Sequence, residues 1–283
     1  MTTVRHSIIG LPRSGKTTFL AALWHLLNAG EVPTKLELDR LVGDHKHLNA
    51  IVESWMQCEE VQRTSIAAET SVSIYVHEPA TGRKAMLVFP DLSGESFERQ
   101  LATRSCSASY VELLQGLGGV LLFVTADRPE DGMTILDIGS VTNEAEELRS
   151  SGDANDTQEW TPQSVPQQVQ IVELLQFLQR SPFEMRKRRV AVIVSAWDVV
   201  AESQRSPTQW LEGELPLLYQ FLETNIESFE WRVYGVSAQG GDVKSEQRDE
   251  LLNAIPSERI TCIGPGSRTH DLTDPIGWLT AED

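Results

Sequence analysis

Apolar residues in this chain switch repeatedly between a period of two and a period near 3.6. Ser7-Ile8-Ile9 is a short apolar strand, and Thr17 to about Asn28 carries the spacing of an amphipathic helix. Ser71 to Glu78 alternates as a half-buried strand does, Pro79-Ala-Thr-Gly82 supplies turn chemistry, and Lys84 to Phe89 runs apolar, so the three segments predict a hairpin. A helical stretch is expected from about Ser96 to Gln115. Apolar strands follow at Gly119–Val124, Arg189–Ser195 and Trp231–Val236, with helices at about Gln167–Gln179 and Pro216–Glu227. Strands alternating with helices predict an α/β fold whose parallel sheet is covered on both faces.

Two segments exceed a minimal fold of this kind. Leu41, Leu48, Val52 and Trp55 recur at helical spacing, with Leu38, Ile51 and Met56 beside them. They predict an additional amphipathic helix, either packed into the core or reserved for a partner. From Asp127 to Gln163, ten acidic residues face only Arg128 and Arg149, and the stretch Ser-Ser-Gly-Asp-Ala-Asn-Asp within it buries little apolar surface. A mobile acidic loop is expected there, a solvated insertion or a docking site. No repeat and no interdomain linker is visible. The reading is a single domain over residues 1–283, with insertions at about 30–65 and 127–165 and a C-terminal extension at about 255–283.

Composition narrows the partners. With 283 residues and 40% hydrophobic content the chain is long enough to bury a core. A net charge of −17 argues against a nucleic-acid backbone or an anionic membrane. Cys58, Cys106 and Cys262 have no pairing or metal spacing, the six histidines form no ligand constellation, and no apolar run approaches the ~20 residues of a membrane span. A cytoplasmic location is expected.

The chemistry begins at Gly10-Leu-Pro-Arg13-Ser14-Gly15-Lys16-Thr17, a phosphate-binding loop between the first strand and the first helix, with Thr18 next in line. Glycines let the backbone aim several N–H groups at one phosphate chain. Lys16 reaches the β- and γ-phosphates, the Thr17 hydroxyl ligates Mg²⁺, and the helix N-terminus favours negative charge. Asp91-Leu-Ser-Gly94-Glu95 follows the hairpin. An Asp there can hold Mg²⁺ through water, and a Gly three residues on leaves its own N–H open to a γ-phosphate. Ser195-Ala-Trp-Asp198 ends one later strand and Ser237-Ala238 the next. A carboxylate at Asp198 can accept from N1 and N2 of guanine, a donor pair adenine lacks, and an N–H at Ser237-Ala238 can meet the guanine O6. Both stand at the carboxyl edge, where open α/β sheets bind ligands.

Together the loop, Asp91-x-x-Gly94, Asp198 and Ser237-Ala238 resemble the Ras-like (TRAFAC-class) P-loop GTPases over roughly residues 4–240. Gly-Lys-Thr-Thr-Phe-Leu-Ala-Ala-Leu-Trp, Pro-Asp-Leu-Ser-Gly-Glu, the Trp-Asp pair and the closing Asp274-Pro-Ile-Gly-Trp278-Leu are similar to the bacterial double-GTPase branch associated with conflict and defence systems. The resemblance implies a three-layer sandwich on a six-stranded sheet with one antiparallel strand, a Mg·GTP site and two switch segments around the γ-phosphate. The switch threonine that closes over the metal is then expected ahead of the Ser71–Glu78 strand. Thr64 and Thr70 are available, and Thr64 is favoured because Thr70 lies too close to the strand to swing.

The chain departs from the class at several positions. Ser195 and Ala196 stand where the class usually has Asn and Lys, so the guanine face loses the Lys stem unless Trp197 or another side chain covers it. Glu95 replaces the usual water-positioning Gln; a carboxylate can orient water but also repels a γ-phosphate. Arg13, inside the loop, resembles the loop Arg of guanylate-binding proteins and atlastins, an arginine finger in cis when such domains pair; the alternative is a solvent-facing Arg or one tied to a nearby carboxylate.

The reading is a Mg²⁺-dependent GTPase switch, binding GTP and GDP, acting with a second GTPase or a protein effector and allowing a nucleotide-dependent dimer. Its rivals are a nucleotide-loaded docking module that hydrolyses little and, further off, a P-loop kinase or ATPase.

Overall fold

The computed structural model describes residues 3–42, 45–59, 72–90, 94–114, 116–127 and 165–281. Five strands form the centre of its sheet: β1 (Val4–Gly10), β4 (Lys84–Phe89), β5 (Leu117–Thr125), β6 (Arg188–Ser195) and β7 (Phe229–Ser237). They lie side by side as β4-β1-β5-β6-β7, all parallel. The hairpin strand β3 (Val72–His77) runs antiparallel against β4, as its alternating pattern predicts.

Six strands with one antiparallel member are expected from the sequence; among the described residues the sheet has nine. An edge strand β2 (Glu37–Val42) pairs antiparallel with β3, and β8 (Thr261–Gly264) and β9 (Ser267–Thr269) extend the β7 side, each antiparallel to its neighbour. The insertion and the C-terminal segment therefore widen the sheet at its two edges.

Successive residues of the central strands serve opposite faces, and both faces are apolar. Ile8, Leu121 and Ile193 belong to one core; Ile9, Leu122 and Val192 belong to the other. The first core is closed by α1 (Lys16–Ala29), α2 (His45–Met56) and the C-terminal α10 (Asp274–Thr280), which contribute Phe19, Leu23, Trp55 and Ile276. The second is closed by α3 (Glu95–Thr103), α4 (Ala108–Leu114), α5 (Gln167–Phe177), α6 (Pro207–Glu214) and α7 (Pro216–Thr224). Two short helices, α8 (Gln247–Asn253) and α9 (Pro256–Arg259), connect β7 to β8.

Two sequence expectations are corrected here. The helix from Ser96 to Gln115 is two helices, because Arg104 takes a left-handed φ of 55° that ends α3, and the Ser107 hydroxyl accepts from the Tyr110 N–H at 3.1 Å at the start of α4. The insertion helix begins only at His45; Leu38 and Leu41, expected on it, lie in β2. Its buried residues Leu48, Ile51 and Trp55 pack into the core. Most of the acidic stretch from Asp127 to Gln163 lies outside the described residues.

One buried polar contact ties the two ends of the chain. His6 on β1 is fully buried, and its Nε2 lies 3.1 Å from the Thr280 hydroxyl, which itself donates to the Ile276 carbonyl at 2.7 Å. Nε2 must therefore carry the proton. Burial, with Arg189 adding repulsion, lowers the His6 pKa to about 3. The folded state keeps this ring neutral, whereas the unfolded chain protonates it below about pH 6.5. Stability is thus intact above pH 6.5 and is lost as the pH falls toward 3. Between pH 7 and pH 5 the loss is expected to be about 2 kcal/mol. Urea melts of the wild type and of His6→Gln at the two pH values check it: equal pH dependence in both would show that this ring is not the titrating group.

Candidate functional site

The phosphate loop is shaped by close backbone approaches that exclude side chains. Gly15, at the start of α1, has a φ of 86°, and a Cβ there would stand 2.8 Å from the Ser195 Cβ and hydroxyl. A Cβ on Gly10 would fall 2.6 Å from the Ser14 hydroxyl and 2.8 Å from the Phe123 Cβ. No side-chain oxygen caps α1 at Gly15, and a helix N-terminus of this kind favours an anion. Lys16 is only 2% exposed, and its Nζ donates to the carbonyls of Gly10 and Leu11, both at 2.8 Å, with the Ser14 hydroxyl at 3.4 Å. The ammonium is thus folded back onto the loop it closes. Thr17 and Thr18, in the first turn of α1, are half-buried, and Arg13 is exposed with a left-handed φ of 64°.

Gly94 brings a second segment onto this loop. It caps α3 with a φ of 84°, and a Cβ on it would lie 2.7 Å from the Leu11 carbonyl carbon and the Pro12 nitrogen, and 2.8 Å from Lys16 Nζ. Glu95, the next residue, opens α3 and is half-buried. Asp91, Thr64 and Thr70 lie outside the described residues.

At the far end of the same edge, β1, β5, β6 and β7 finish together: Gly10 pairs with Phe123, Thr125 with Ser195, and Ser195 with Val236. Ala196 turns the chain with a φ of 52° into a short 3-10 helix over Trp197–Ser203. The Ser237 hydroxyl donates to Asp198 Oδ1 at 2.5 Å and accepts from the Gly240 N–H at 3.1 Å. Asp198 and the Ser237-Ala238 turn are therefore joined directly. Trp197, considered above as a cover for a purine, is 3% exposed and fills the core beneath Gly235, edge-on to Trp210. The Gly at 235 is what makes room for that ring, so this side chain is unavailable to a ligand.

Two contacts were not legible in the sequence. The Ser195 hydroxyl donates to the Ser14 carbonyl at 2.9 Å, so the residue at the position of the usual Asn ties the end of β6 to the phosphate loop. The Trp55 indole N–H donates to the Ala238 carbonyl at 3.0 Å, so α2 touches the turn after β7.

The fit to a nucleoside triphosphate rests on this geometry. Glycines at 15 and 94 let the end of β6 and the start of α3 close directly on the loop, and among the described residues Lys16 is the one buried ammonium. Among the described residues there is no group of three or more His, Cys, Asp or Glu able to hold a metal by itself. A Mg²⁺ coordinated by hydroxyl, water and phosphate oxygen does not require one. No helix of the described residues is long and apolar enough to cross a membrane.

A family model described as Double-GTPase 1 matches residues 7–279. No curated protein sequence matches the chain. Among solved structures, the GTP-bound Ski7 GTPase-like domain of S. cerevisiae is similar at 12% identity, with 84% of this chain and 43% of that chain covered and a TM-score of 0.43. An Era protein from Aquifex aeolicus bound to GDP and AlF4− is similar at 15% identity, with 90% and 58% covered and a TM-score of 0.33. The signal recognition particle receptor SRb-GTP/SRX complex from Chaetomium thermophilum is similar at 13% identity, with 84% and 92% covered and a TM-score of 0.34. The chain spans less than half the length of the Ski7 chain it matches.

Proposed function

The chain belongs to the Double-GTPase 1 family, and from that premise we propose that it is a Mg²⁺-dependent GTPase switch of the P-loop sandwich type, a single domain over residues 1–283 with insertions at 30–65 and 127–165 and a C-terminal extension. The observation that carries the reading is the convergence at one sheet edge of Lys16, Gly15 and Gly94 with the bonded pair Asp198 and Ser237.

In this reading the amides of residues 13–18 and the Lys16 ammonium hold the β- and γ-phosphates. The carboxylate of Asp198 accepts from the guanine N1–H and N2–H, and the Ala238 N–H meets O6. Mg²⁺, held by Thr17 with Thr64 and Asp91, would neutralise the phosphate oxygens. Water attacks the γ-phosphorus in line and the bond to the β-phosphate oxygen breaks, giving GDP and phosphate. Gly94 donates its N–H to the γ-phosphate, and Glu95 stands closest in sequence to the attacking water. Arg13, exposed on the loop, serves the developing charge once a second GTPase domain, another copy or a relative, covers it.

Competition for a fluorescent guanine nucleotide, followed by turnover measured across protein concentration, tests the proposal. GTP is expected to displace the probe at far lower concentration than ATP, and turnover per molecule is expected to rise with protein concentration. Equal displacement by ATP would remove the base assignment, and tight GTP binding with turnover at background would leave a docking module in place of a switch.

A further inference from the structure

The insertion helix α2 ends against the turn that follows β7. Trp55, fully buried, sends its indole N–H to the Ala238 carbonyl at 3.0 Å, and the Gln239 side-chain amide donates back to the Trp55 carbonyl at 3.2 Å. Arg248 donates to the carbonyls of Cys58 and Gln57 at 3.1 and 3.2 Å. The Arg259 guanidinium stacks over the Trp55 ring at 4.7 Å and places Nη1 2.6 Å from the Cys58 sulfur. Gly240 allows the close approach, since a Cβ there would lie 2.7 Å from the Arg259 carbonyl oxygen. The turn is thus held from within by Ser237, which bridges Asp198 and the Gly240 N–H, and from outside by Trp55.

We infer that Trp55 is a positioning residue for purine recognition: by holding the Ala238 carbonyl it fixes the backbone torsions of Ala238, and so the direction of the Ala238 N–H in the preceding peptide, and keeps Ser237 in register with Asp198. This rests on the base pocket proposed above. The physical ground is that a buried carbonyl without its donor is costly, so the peptide it belongs to rotates to find another. A rotation of one peptide redirects the donor beside it. The insertion, absent from the minimal fold, then contributes to specificity without touching the ligand.

The test is Trp55→Phe, which keeps an aromatic ring under Arg259 while removing the N–H donor and the second ring of the indole. Affinities for GDP and ADP are measured by titration, so that contributions of the phosphate loop cancel in their ratio. The preference for GDP is expected to fall about 3- to 10-fold, the loss of one buried hydrogen bond. The kcat for GTP is expected to stay within about twofold while KM rises. Should Trp55→Phe fail to fold, Gln239→Ala removes the reciprocal bond at a half-buried position of the turn, and its preference is expected to fall in the same direction. A wild type without guanine preference overturns the base pocket itself. A wild type that prefers guanine, with an unchanged ratio in the variant that folds, overturns the role of Trp55 alone.

Discussion

Lys16→Ala is expected to lower nucleotide affinity at least about 10²-fold and hydrolysis further still. In the structure the Lys16 ammonium is buried and held by the carbonyls of Gly10 and Leu11. In the proposed binding mode the ammonium meets phosphate oxygens, and two charge-assisted hydrogen bonds of about 1.5–3 kcal/mol each account for the expected loss. The hydrolysis deficit is larger because charge grows on the γ-phosphate oxygens in the transition state, where a fixed cation contributes most. Thermal melting with and without GDP reads the binding part directly: the wild type is stabilised by ligand and the variant is not. A variant stabilised as much as the wild type would mean that the phosphates lie elsewhere.

Gly94→Ala is expected to reduce hydrolysis about 10²-fold while weakening GDP binding much less. Its Cβ has no room, since the nearest atoms at 2.7 Å are backbone atoms of Leu11 and Pro12, which no rotamer change moves. The φ of 84° adds strain for any residue with a side chain, roughly 1–2 kcal/mol. The variant must lift α3 from the phosphate loop, and a displacement of about 1 Å at a reacting centre costs about that factor in rate. In the proposed mode the γ-phosphate is the group that feels it, so GDP binding is expected to be spared. Single-turnover hydrolysis beside a GDP titration separates the two effects. Hydrolysis close to wild type would show that this contact is not part of the reacting arrangement.

The parts of this molecule that were legible in its sequence are those whose signals are local. The phosphate loop is read from eight consecutive residues, and β4, β5 and β6 from unbroken apolar runs between turn residues. The edge strand β2 was misread for a physical reason. Its pairing with β3 slips between Leu38 and Arg40, so Leu38 and Leu41, three residues apart, both reach the core while Asp39 and Arg40 stay exposed. That spacing imitates a helix. β8 and β9, at four and three residues, are too short to establish a period. The site divided in the same way. Asp198 and Ser237 were recognised because each ends a strand, but their bond, the tie from Ser195 to Ser14 and the reach of Trp55 depend on chain segments 39 to 183 positions apart. The burial of Trp197 depends on a glycine in the next strand, which only the sheet order brings beneath it.

The bond between His6 and Thr280 spans 274 positions. β1 lies in the middle of the sheet, between β4 and β5, so its imidazole acquires this partner only when α10 docks. Until α10 arrives, the centre of the molecule contains an unsatisfied polar ring in apolar surroundings, and closure of so distant a loop is slow. Docking of α10 is therefore expected to come late in folding, and its removal is expected to leave the His6 ring without this partner and to weaken the sheet at its centre.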